Sequence, residues 1–103
     1  MSILDLFGGG KKFAEGLARA RNTENAVILD VRTTEEYRGG HIPGSINVPL
    51  DRLESTEFDK GTPLFVYCLS GARSSRACAY LGSQGIQAEN IGGINSYRGE
   101  MER

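Results

Sequence analysis

The chain has 103 residues, 39% of them hydrophobic and 24% charged, with a formal net charge of −1. That length supports one domain with a core of its own and leaves no room for a second. The near-neutral balance excludes the basic footprint of a nucleic-acid or membrane-surface binder. Two cysteines and one histidine, far apart and without ligand-type spacing, give no metal site to expect.

Met1 to Phe7 is apolar but carries Asp5, has no basic residue ahead of it and meets Gly8-Gly9-Gly10 well short of secretory or spanning length. The expected location is therefore the cytoplasm, with reduced thiols. The spacing of Ile3, Leu4, Leu6 and Phe7 predicts a short apolar turn docked on the domain, broken by the glycine triplet. Residues 1–10 are read as a segment without an assigned role, and 11–103 as the domain. Lys12 to Arg21 is rich in helix formers and lines Phe13, Leu17 and Ala20 along one face. Val27 to Val31 is a continuous apolar run interrupted only by Asp30, the pattern of a strand covered on both faces.

Thr33 followed by Glu36 reads as a capping box, so a short helix is predicted over Thr34 to Arg38, stopping at Gly39-Gly40. His41 to Gly44 is a turn and Ser45 to Val48 a brief strand. Leu50 to Phe58 is read as a short helix with Leu50 and Leu53 facing inward. Pro63 to Tyr67 is the strongest strand signal and runs into Cys68. A helix follows over Ala72 to Ser83, with Ala77, Cys78 and Leu81 on its apolar face and Gly85 as its stop. Gln87 to Ile91 is predicted as a last strand ended by Gly92-Gly93, and Ile94 to Arg103 as a short terminal helix. Strands alternating with helices imply an α/β domain: a parallel sheet with helices on both faces and its ligand site at the carboxyl ends of the strands. Cys68 falls at that edge.

The segment Cys68-Leu69-Ser70-Gly71-Ala72-Arg73-Ser74 lies between the strongest strand and the helix after it. A cysteine near a helix N-terminus is favoured as thiolate by unpaired N–H groups. Gly71 can take the left-handed conformation that turns successive N–H groups inward as an anion nest. Arg73 adds a permanent cation, and Ser70 and Ser74 offer hydroxyls. A nucleophilic sulfur ringed by donors suits either attack on a phosphate ester or attack on a donor's outer sulfur to form a persulfide. Cysteine-dependent phosphatases resemble this design with five residues between Cys and Arg. The four here form a tighter ring, which favours a single sulfur atom over a tetrahedral oxyanion.

Asp30-Val31-Arg32, Glu36-Tyr37 and Gly40-His41-Ile42-Pro43-Gly44-Ser45-Ile46-Asn47 together look like the first signature of the rhodanese family. The Cys68 to Ser74 segment resembles that family's active-site loop, and Leu81, Gly85, Ile86 and Gly92-Gly93 fit its second signature. The resemblance spans about Val27 to Tyr97. It implies about five parallel strands flanked by helices and a single-domain sulfurtransferase with no metal or organic cofactor. In that reading Cys68 takes sulfur from thiosulfate, mercaptopyruvate or a persulfide and passes it to cyanide, a cellular thiol or a protein acceptor. Carried over by position, Cys68 is the nucleophile, the N–H groups of Leu69 to Ser74 hold the persulfide, and Arg73 meets the anionic donor or leaving group. Thiosulfate-preferring members often carry basic residues directly after the cysteine, where this chain has Leu69 and Ser70. The common Trp after the Gly-Gly pair is Tyr97 here.

Asp30 and Arg32 share the sheet edge with the cysteine loop, so they either orient it or form a structural ion pair. His41 reads as a turn residue bonded to backbone rather than a base, because a thiolate needs none. Cys78, ten residues beyond Cys68 on a helix face, is too far to bridge and reads as core. Arg76 either widens the basic field of the site or is a surface charge. The alternatives are a cysteine phosphatase or arsenate reductase on this fold, and a non-catalytic rhodanese-like binding or sulfur-relay module.

Overall fold

The computed structural model describes the backbone from Ile3 to Arg103 and side chains from Gly10 onward. Helix α1 spans Ile3–Arg21 and is followed by strand β1, Val27–Asp30, and helix α2, Thr34–Gly39. Strand β2 is Ile46–Asn47, and a 3₁₀ turn follows at Leu50–Ser55. Strand β3, Leu64–Cys68, leads into helix α3, Ala72–Ser83, then strand β4, Ala88–Gly93, and a second 3₁₀ turn at Ile94–Ser96. The strands form one parallel sheet in the order β2-β1-β3-β4. The α/β architecture is the expected one, with four strands among the described residues where about five were anticipated. No helix among the described residues is long and apolar enough to cross a membrane.

Strand alternation sorts the core into two layers. Ile28, Phe65 and Tyr67 face Phe13, Leu17 and Ala20 of α1, with Ile42, Ile91 and Ile94 beside them. Leu29, Leu64, Val66 and Cys68 face Ala77 and Leu81 of α3 and Leu53 of the first 3₁₀ turn. Every residue of β3 is buried, as a central strand covered on both faces must be. Full burial of Phe13, Leu17 or Leu81 stabilises the fold by about 1.5–3 kcal/mol per side chain.

Four expectations change. The glycine triplet does not break the first helix, which runs through it. Glycine costs about 1 kcal/mol in a helix, and α1 gains close approach in return. A Cβ at Gly10 would lie 2.6 Å from the Ser96 carbonyl oxygen, and one at Gly16 would lie 2.7 Å from the Ile91 Cβ. The docking expected of Ile3, Leu4, Leu6 and Phe7 concerns side chains outside the described ones. The helix predicted to Phe58 is a shorter 3₁₀ turn after Pro49, closed at Thr56 by its N–H on the Leu53 carbonyl. Strand β4 does not stop at Ile91 but continues through Gly92 and closes on Gly93. The terminal helix reduces to the turn at Ile94–Ser96, because Tyr97 is extended and Glu102 instead pairs antiparallel with His41.

The Thr33 capping box is formed as read, with the Glu36 N–H donating to Thr33 Oγ1 at 3.2 Å and the Thr33 N–H to Glu36 Oε1 at 3.0 Å. Helix α3 has the predicted bounds, and Gly85 takes φ +78° just beyond it.

Candidate active site

Cys68 is the last residue of β3, fully buried on the α3 side of the sheet. Gly71, at φ +102°, curls the chain left-handed and caps α3. That curl aims the Gly71 N–H at Cys68 Sγ (3.0 Å), while the Ser74 N–H reaches it at 3.3 Å and the Ser74 hydroxyl also lies 3.3 Å away. Burial works to raise the Cys68 pKa, but the hydrogen bonds aimed at the sulfur from Ser74, Gly71 and Ser70 outweigh it and bring the thiol below its ordinary value. Around Sγ itself the backbone donors are Ser70, Gly71 and Ser74. Leu69 is exposed at the crest and uses its carbonyl to accept the Asn95 N–H at 3.0 Å, and Ala72 opens α3.

Strand β4 braces this loop. Its pairing with β3 slips by one residue, so that Val66 faces Asn90 but Tyr67 faces Gly92, leaving Ile91 as a bulge. The slip sets Gly93 opposite Cys68 and under the loop, where a Cβ would lie 2.4 Å from the Leu69 carbonyl oxygen and 2.7 Å from Ser70 Cα. Asn90 Oδ1 accepts the Ser74 hydroxyl at 2.7 Å and the Gly92 N–H at 3.0 Å, and its Nδ2 donates to the Gly71 carbonyl at 3.3 Å.

Arg73 is engaged elsewhere than at the sulfur. Its guanidinium grips both carboxylate oxygens of Glu36, at 2.7 and 3.0 Å, tying the first turn of α3 to the cap of α2. The Arg73 bond, opposed by burial and aided by Thr33, holds the Glu36 carboxyl down at about 2. The folded pKa lies below the ordinary 4.5, so this pair stabilises the protein above that pH and the contribution is lost as pH falls from 4.5 toward 2. With both side chains about a third exposed, screening limits the effect to ~1 kcal/mol. Glu36→Gln is expected to remove that component of acid sensitivity, read as a flatter thermal midpoint between pH 5 and 3; an unchanged slope would refute the coupling. Arg76 joins Arg73, Thr33, Leu50 and Tyr80 around a groove of about 570 Å³ between α3 and the first 3₁₀ turn. A second groove, of about 490 Å³, carries Ser70, Asn90 and Asn95 together with Lys12.

Asp30 and Arg32 form a buried bidentate pair, with Oδ2 accepting Nη2 at 2.6 Å and Oδ1 accepting Nε at 3.0 Å. Arg32 Nη2 also donates to the Gly40 carbonyl at 2.7 Å, so the pair secures the turn after α2. His41 Nδ1 donates to the Tyr37 carbonyl at 2.8 Å, its ring stacks on Tyr37, and Nε2 lies 3.5 Å from Glu102. Cys78 is half-buried, and burial pushes its thiol up to about 11. Glu36, Asn90, Gly93 and Asn95 were not singled out from sequence as parts of the site. The available signals were Glu36 as the third residue of a helix also facing the sheet edge, and a polar Asn immediately before Ile91-Gly92-Gly93.

The family model for the rhodanese-like domain matches residues 13–100. A sulfurtransferase of Allochromatium vinosum is 39% identical over 69 residues, covering 65% of this chain and 64% of that protein. The thiosulfate sulfurtransferase PspE of Escherichia coli is 37% identical over 71 residues, covering 64% of this chain and 68% of that one. The matched part spans 45% of YrkF from Bacillus subtilis, so the chain covers less than two thirds of some of these relatives. Among solved structures, a rhodanese-like domain protein of Staphylococcus aureus superposes with a TM-score of 0.78 at 31% identity, over 87% of this chain and 92% of that one. A rhodanese from Escherichia coli, solved with anions, gives 0.65 at 31% identity over 76% and 98%.

Proposed function

Because the chain belongs to the rhodanese-like domain family, we propose that it is a sulfurtransferase that carries a sulfane sulfur on Cys68. The observation behind this reading is the convergence of the Gly71 and Ser74 N–H groups on Cys68 Sγ, at 3.0 and 3.3 Å. Donors fixed around a sulfur at a helix N-terminus stabilise negative charge there without reorganising. In the first step the Cys68 thiolate attacks the outer sulfur of the donor. With thiosulfate, a Cys68 S–S bond forms, the donor's S–S bond breaks, and sulfite leaves with the bonding pair. In the second step cyanide or a thiolate attacks the terminal sulfur, and Cys68 departs as thiolate. The protein ends each cycle unchanged, with no proton that a base must remove once the thiolate exists.

Arg73 is held by Glu36, and Leu69 and Ser70 follow the cysteine, so none of residues 69–74 offers an unpaired cation to a thiosulfate dianion. The donor class therefore includes less charged persulfides and mercaptopyruvate as well as thiosulfate, and a protein thiol is as suitable an acceptor as cyanide. The short spacing from Cys68 to Arg73 supports sulfur over phosphate, and the intact nucleophile geometry supports chemistry over passive binding.

The test is intact mass after brief incubation with each donor in turn. A gain of one sulfur atom, lost again on adding cyanide, is the expected result. No gain with thiosulfate, mercaptopyruvate or a small-molecule persulfide would refute the reading, and phosphate release from an aryl phosphate would replace it with the phosphatase.

A further inference from the structure

Ser74 is fully buried, and its hydroxyl has one proton with three acceptors in reach. They are Asn90 Oδ1 at 2.7 Å, the Gly71 carbonyl at 3.1 Å and Cys68 Sγ at 3.3 Å. The Asn90 atom must be the amide oxygen, because it also receives the Gly92 N–H at 3.0 Å while the amide nitrogen donates to the Gly71 carbonyl. Two oxygens 2.7 Å apart, one of them an amide oxygen with no proton to give, require the hydroxyl proton between them. The hydroxyl therefore presents a lone pair to the sulfur.

We propose that Asn90 is a positioning residue for the sulfur chemistry: its side-chain oxygen draws the Ser74 proton away from Cys68, so that the thiolate relies chiefly on backbone N–H groups. The proposal rests on Cys68 being the nucleophile. Its chemical consequence is a tuned sulfur. A thiolate denied one donor ionises less readily but attacks faster once ionised, since nucleophilicity rises with basicity. The resting thiol gains an acceptor for its own proton in the Ser74 lone pair. Of the charged groups nearby, Arg73 on α3 is held by Glu36, Asp30 on β1 by Arg32, and Glu89 on β4 by Arg19, while Lys12 and Glu15 on α1 line the groove that carries Ser70 and Asn90.

The test is the pH dependence of iodoacetamide alkylation at Cys68, in the full chain carrying Cys78→Ser and with no sulfur donor present. Asn90→Leu removes the acceptor while a side chain of similar shape keeps water from replacing it. It is expected to lower the midpoint by about one pH unit, tenfold more thiolate on the rising limb, and to lower the plateau rate about threefold. Ser74→Ala is expected to move the midpoint by less than about 0.3 units, and Asn90→Leu added to Ser74→Ala to move it no further. A midpoint that rises or stays in Asn90→Leu, or that falls equally without the hydroxyl, overturns the proposal and leaves Asn90 a brace. Should Asn90→Leu not fold, Ser74→Ala decides alone, because a rise of about one unit would place the hydroxyl proton on the sulfur. Alkylation is read without sulfur transfer, so failure of the mass test would refute the proposed function without moving these midpoints.

Discussion

Cys68→Ser is expected to take up no sulfur from any donor, against one atom per chain in the unaltered protein, while its thermal midpoint stays within a few degrees. The side chain is fully buried but small, and the Gly71 and Ser74 N–H groups can donate to a hydroxyl as readily as to a thiol. What the substitution removes is the atom able to form and break an S–S bond. In the unaltered chain the alkylation rate is expected to titrate below the free thiol value of about 8.5, the direction in which the donors aimed at the sulfur outweigh burial. Cys68→Ser should leave only the slow reaction of Cys78, whose thiol is pushed up to about 11. Undiminished sulfur uptake by Cys68→Ser would remove Cys68 from the chemistry altogether.

Gly93→Ala is expected to cost sulfur uptake and Cys68 alkylation about a hundredfold, the scale of loss that accompanies displacement of reacting groups by about 1 Å. The added methyl would sit 2.4 Å from the Leu69 carbonyl oxygen and 2.7 Å from Ser70 Cα. Both are backbone atoms of the loop and cannot swing aside. Either the loop lifts from β4, opening the Leu69–Asn95 bond, or the strand pair separates. Strain of this kind typically costs ~1–3 kcal/mol. The discriminating comparison is Gly82→Ala, where a Cβ meets nothing within 4 Å on an exposed face of α3. That variant should alkylate at the normal rate. Equal rates for Gly93→Ala and the unaltered chain would mean that the loop's position does not depend on its approach to β4.

Local signals carried most of the architecture. The apolar run at β3, the Thr33–Glu36 capping box and the bounds of α3 depend on side-chain periodicity and on hydrogen bonds within a few residues, so they are written in consecutive letters. The cysteine loop was legible for the same reason: Gly71 must supply a positive φ where the chain turns from strand to helix, and its N–H then meets the sulfur three residues back. Glycine was the least readable letter elsewhere. The triplet in α1 and the pair in β4 looked like breaks, but at Gly10, Gly16 and Gly93 the missing Cβ serves contact with another element.

The sequence by itself determined a parallel α/β domain, a cysteine at the carboxyl edge of its central strand, and the curl that surrounds it with donors. Only the tertiary structure decided what those groups face. Arg73 reads as a free cation for the site, and α2 brings Glu36 to it from 37 residues away. Asp30 and Arg32 read either as orienting the loop or as a structural ion pair, and packing brings the Gly40 carbonyl to Arg32 Nη2. Asn90 has no visible role until the packing of β4 beside α3 brings it to Ser74. A strand or a cap is fixed by neighbours in the chain, whereas the partner of a charge or the direction of a hydroxyl proton is fixed by whichever group packing delivers within 3 Å.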